Sequence, residues 1–131
     1  MSSDEFQYDQ LHAKLVSDIP ELRERIDDAF GSDYDLSKES PGCYPIFEDV
    51  VRMYLFDSLD RDENSSRLVH LFDFFETMAA STDGNVTDLL RIAILEPLVY
   101  DRDRYQRARP YMGSKTSVLA DIEEDLKNAR D

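Results

Sequence analysis

The chain has 131 residues, with 29 acidic against 15 basic side chains and a formal net charge of -14. That length is one ordinary domain, enough to bury a core of its own, and a hydrophobic content of 41% is not that of a disordered tail. The charge repels nucleic acid and anionic membrane, so neither is expected as a partner.

Helical spacing starts near the N-terminus. Ser2 and Glu5 stand at capping-box spacing, and Tyr8, Leu11, Leu15 and Ile19 follow at helical intervals. Asp18 and Pro20 predict a break and restart, because proline is tolerated only in a helix's first turn. Leu22, Ile26, Ala29 and Phe30 make a second stripe, with Gly31 placed to cap it. Residues 31–43, rich in Gly, Ser, Asp and Pro, read as a long loop.

A third helix is expected to start at Pro45. Phe47, Val50, Val51, Tyr54, Leu55 and Leu59 give it a broad apolar face, widened by Ile46 and Phe56, so it is expected to be central. Leu68, Leu71, Phe72, Phe75 and Met78 define a fourth helix. Ser81–Asn85 reads as a turn in which Asp83 caps the fifth helix. That helix carries Val86, Leu89, Leu90, Ala93 and Ile94, and Pro97 is expected to limit it. After the arginines at 102, 104, 107 and 109, Pro110 breaks the chain. A last helix is expected to turn Val118, Leu119, Ile122 and Leu126 inward.

No segment alternates like a strand. The expectation is one all-α domain over residues 1–131: a five- or six-helix bundle or a short helical-hairpin stack. No internal period supports a solenoid.

Chemistry-bearing patterns are weak. His12 and His70 lack a second His or Cys at metal-ligand spacing. Cys43 has no histidine near it in sequence, and as a lone cysteine it suits a reducing cytosol. Asp60-Arg61-Asp62-Glu63-Asn64 opens like a calcium loop but has Ser65 at the glycine position and Leu71 at the glutamate position. No catalytic residue, metal or cofactor is expected, and the protein is read as not an enzyme. The four arginines are expected to pair with the chain's own acids. The opening residues lack the basic and apolar regions of a signal peptide, and no apolar run reaches 18 residues. The expected location is the cytoplasm.

One constellation points to a partner. Asp33, Asp35, Asp57, Asp60, Asp62 and Glu63 merge into one negative face if the ends of the second and third helices meet. Tyr34 and Tyr44 would stand beside it as aromatic anchors. Charge that serves only solubility or a salty host is the alternative source of these acids.

Three stretches together carry a resemblance: Pro20-Glu21-Leu22-Arg23, Leu71-Phe72-Asp73-Phe74-Phe75-Glu76 leading to Leu95-Glu96-Pro97-Leu98, and Pro110-Tyr111-Met112-Gly113-Ser114-Lys115-Thr116. In this order they resemble a family of small, all-helical, largely uncharacterised bacterial proteins similar to the immunity proteins of polymorphic toxin systems. The resemblance implies no catalytic residue. It implies an acidic binding module, an immunity protein or antitoxin that covers a basic toxin. The competing expectation is a structural or adaptor subunit, which would be marked by an apolar patch if Val69 and Phe74 were exposed.

Overall fold

The computed structural model describes residues 7–30, 43–61 and 65–130, apart from the side chains of Asp9 and His12. Among the described residues every regular element is helical. α1 (Leu11–Asp18) follows a 3-10 turn at Tyr8–Gln10 and buries Leu11 and Leu15. The chain breaks at Ile19 and Pro20, and α2 (Leu22–Phe30) restarts with Leu22 and Ile26 buried. Ser2, Glu5 and Gly31, expected as caps, lie outside the described residues.

α3 is one continuous rod: an α-helical turn (Cys43–Ile46), a π-helical turn (Phe47–Val51) and an α-helix (Arg52–Leu59). Pro45 sits in its first turn, where a missing N–H leaves no bond unmade. The wider π turn lets Ile46, Phe47, Val50, Val51, Tyr54 and Leu55 all face inward. The rod is central as expected, touching α2, α4, α5 and α6. α4 (Ser65–Ala79) packs against α3, α5 and α7. Contact on several sides is why Phe74, off the main stripe, is buried with Leu71, Phe72 and Phe75.

α5 contains Gly84–Leu89, a π-helical turn at Leu90–Leu95 and Glu96–Tyr100. Asp83 caps it, accepting from the Asn85 amide at 3.0 Å, and its other oxygen accepts from the Tyr8 amide at 2.9 Å. Pro97 does not end this helix, contrary to expectation. The π turn resets the hydrogen-bond ladder just before it, so the proline falls in the first turn of the following α-helical segment.

α6 (Arg102–Ala108) continues into a 3-10 turn at Arg109–Tyr111, where Pro110 stands. It raises the described helices to seven. Its sequence has no apolar stripe, because only Tyr105 and Ala108 face the core.

α7 (Ser114–Arg130) differs most from expectation. It lies against α4 and α5 with Thr116, Ala120 and Glu123 buried. Val118, Ile122 and Leu126 point outward, 58%, 40% and 40% exposed, and Leu119 is half-buried. Polar anchors set this rotation. The Glu76 carboxylate from α4 sits on the first turn of α7, accepting from the Lys115 and Thr116 amides at 2.9 Å each and from the Thr116 hydroxyl at 2.8 Å. It thereby satisfies two amides that a helix start leaves without partners, and its charge suits the positive end of the helix. Gly113 makes room, since a Cβ there would overlap Glu76 Cδ and Oε1. Further along, Glu123 turns inward to meet Arg91 Nε of α5 at 2.7 Å. Arg109 holds Asp121 at 2.9 Å, Arg102 holds Glu124 at 3.0 Å and Arg130 reaches Glu96 at 3.3 Å. Turning α7 by one residue, 100° of rotation, would bury the apolar row and break these bonds together.

Burial of the Glu76 carboxylate opposes its ionisation, but the Thr116 and Lys115 amides, the Thr116 hydroxyl and the Lys115 charge outweigh it and hold its pKa below the ordinary 4.5. A depressed folded-state pKa stabilises the fold above the unfolded value and loses that contribution as pH falls. Glu76→Ala is therefore expected to cost about 1–3 kcal/mol at pH 7. In denaturant titrations the gap from the parent chain narrows as pH drops below 4.5. Gly113→Ala is expected to cost a similar amount at pH 7, and little once Glu76 is also removed.

Candidate protein-interaction surface

Of the acids expected to form one face, Asp57 and Asp60 are among the described residues, and both meet arginines. Asp57 lies 3.6 Å from Arg25, so α2 does run beside α3. Asp60 is gripped by two oxygens: Arg104 Nε donates to Oδ1 at 3.0 Å and Nη2 to Oδ2 at 2.7 Å. Hydrogen bonding to Arg104 outweighs desolvation and holds the Asp60 pKa below its ordinary range, with the charges of Arg104 and Arg107 adding to the effect. Tyr44 is half-buried and packed against the core, where burial first, then Asp88 and Glu48, raise its pKa. Asp33, Tyr34, Asp35, Asp62 and Glu63 lie outside the described residues.

The arginines of α6 are all engaged within the chain, as their sequence neighbours suggested. Arg104 also donates to Asp101 at 2.9 Å. Arg107 pairs with Asp103 and donates to the Leu59 carbonyl at 2.6 Å, which closes the C-terminal end of α3. Arg102 and Arg109 reach across to α7, and Arg109 also meets the Tyr105 hydroxyl at 2.9 Å. These side chains are braces between helices.

Two other titratable groups are buried. Cys43 is buried, and desolvation pushes its thiol up to about 11, so it stays protonated at neutral pH. Tyr54 is buried with Arg25 and Arg67 4.9 and 4.7 Å from its ring centroid, and its hydroxyl donates to Glu21. Desolvation and the Glu21 carboxylate raise the Tyr54 pKa. The cations here are matched by Glu21 and Asp57, so the cluster is a brace of α2, α3 and α4. Among the described residues no group of three His, Cys, Asp or Glu is placed to hold a metal ion. No described helix is long and apolar enough to cross a membrane.

Among the described residues, one surface without an internal role is the outer face of α7. Val118, Ile122 and Leu126 recur every four residues and form a row along the helix. The row runs at its start into an open groove of about 310 Å³ lined by Ala79, Ser114, Lys115, Val118 and Leu119. Asp121 and Asp125 border it and are exposed. Val69 and Phe74 would mark an apolar patch only if both were exposed; Val69 is, but Phe74 is buried, so they form none. Sequence reading assigned the α7 row to the core, since exposed and buried rows have the same period and only partners distant in the chain distinguish them.

Surface substitutions cost little and core ones cost much. Ile122→Ser is expected to change stability by less than about 0.5 kcal/mol. Ala120→Leu, in the tight inner seam, is expected to cost about 1–3 kcal/mol by overpacking. Chemical denaturation of the two variants gives the comparison.

No curated protein and no solved structure matches the chain. A family described as a domain of unknown function, DUF7674, matches residues 12–121, and the chain belongs to that family.

Proposed function

We propose that the protein is an acidic protein-binding module whose partner is a basic protein, in the manner of an immunity protein or antitoxin that neutralises a basic toxin in the bacterial cytoplasm. The observation that carries this is where the charge remains. The arginines of α6 are consumed by internal pairs, while Asp18, Glu24, Asp28, Asp49, Asp73 and Asp125 are exposed and stand outside those pairs. A net charge of -14 is then a field presented to the surroundings. Such a field speeds the approach of a positive partner and turns away other acidic surfaces. The family resemblance drawn from the sequence points the same way.

A second reading, an adaptor subunit of a larger assembly, is favoured by the exposed apolar row on α7. In that reading binding depends on the row and little on charge.

Co-expression with neighbouring genes, followed by purification at low salt, tests the first reading. One stoichiometric basic partner, lost at high salt, is expected; recovery of the protein alone from every combination sinks it. With the partner in hand, reversing Asp18, Glu24 and Asp28 together to Lys is expected to slow association several-fold at low salt, with melting temperature little changed. An unchanged association rate removes steering from the account and leaves the adaptor reading.

A further inference from the structure

We infer that the outer face of α7 docks a basic amphipathic helix of the partner protein, its apolar side on Val118, Ile122 and Leu126 and its Lys or Arg side chains against Asp121 and Asp125. The inference rests on the basic-partner reading and names the surface and the shape of what binds there.

The apolar row is held outward at a cost. Glu123 occupies the inner face of α7 at 7% exposure, where an aliphatic side chain would bury without a charge to match. The row therefore lies outside the core by construction, and conflict between local pattern and burial marks functional surfaces. From Val118 to Leu126 it extends roughly 12 Å at the rise of an α-helix. That is enough for residues i, i+4 and i+7 on a partner helix, which span about 10.5 Å, the spacing used when an amphipathic helix lies against an apolar strip.

Charge selects the occupant. Asp121 and Asp125 lie along one edge of the row. Arg109 pairs with only one Asp121 oxygen, at 2.9 Å, and Asp121 is 60% exposed at its side chain, so its other oxygen can meet a further cation. The opposite edge opens on the groove lined by Ala79, Ser114, Lys115 and Leu119, so the partner's Lys or Arg side chains belong on the Asp121–Asp125 edge and an apolar residue on the groove side. A second copy of this chain would bring the same aspartates and another -14 charge to the contact, which disfavours self-pairing.

The test uses the full chain with methyl groups labelled for NMR and two synthetic helical peptides of one apolar pattern, with Lys or with Glu at every polar position. The Lys peptide is expected to shift the Val118, Ile122 and Leu126 methyl signals at physiological salt. Its affinity is expected to exceed that of the Glu peptide at least ten-fold, and to fall at least ten-fold with Ile122→Ser or Val118→Ser. Shifts confined to other surfaces overturn the docking site and leave the basic-partner reading standing. Equal affinity for both peptides, or preference for the Glu peptide, overturns both. Signals at these methyls that move on simple dilution assign the row to a second copy and overturn the inference.

Discussion

The Glu76 carboxylate on the first turn of α7 is the contact on which the outer surface depends. α4 is rooted in the core through Leu71, Phe72, Phe75 and Met78, so its Glu76 is a fixed point. Two amides and a hydroxyl of α7 converge on it, and Gly113 leaves the space it needs. A helix held at its first turn still rotates about its axis unless something stops it further on. Arg91 does so by drawing Glu123 inward. These two carboxylates decide that Thr116 and Ala120 face the core and that Val118 and Ile122 do not.

The same economy of charge runs through the rest of the molecule. Arginines bind helices to one another: Arg104 joins α6 to the end of α3, Arg102 and Arg109 join it to α7, and Arg25 joins α2 to α3. Pairs as exposed as these contribute little each to stability, and their geometry orients the helices more than it strengthens them. Because the cations turn inward to these tasks, the surplus of acid is expressed at the surface. Under the binding role proposed here, a broad negative field and a short apolar row on one helix are complementary, the first for attraction and the second for contact.

Much of this was legible in the chain. The stripes of α4 and of the first half of α5 identified Leu68, Leu71, Phe75, Val86, Leu89 and Ile94 as core, and all are buried. Asp83 was readable as a cap because its signal is local, two residues from the amide it accepts. The arginine pairing in α6 was readable from the aspartates around it. The misreadings have a common physical origin. Pro97 looked terminal because a π turn, which absorbs it, has no sequence mark. Which acids Arg25 and Arg104 meet, Asp57 and Asp60, was not legible, because the partners come from distant parts of the chain. α7 looked buried on its aliphatic side because Glu76 and Arg91, 39 and 32 residues from the groups they hold, are what turn it.

The rotation of α7 is the claim on which the binding account stands, and thiol labelling measures it directly. Single cysteines at Val118, Ile122 and Ala120, in a chain whose own Cys43 is buried, are treated with a water-soluble maleimide under native conditions. Fast labelling at 118 and 122 with slow labelling at 120 is the result this account predicts. Protection of 118 and 122 with rapid reaction at 120 would contradict it, placing the aliphatic row in the core and leaving the molecule without the surface described here.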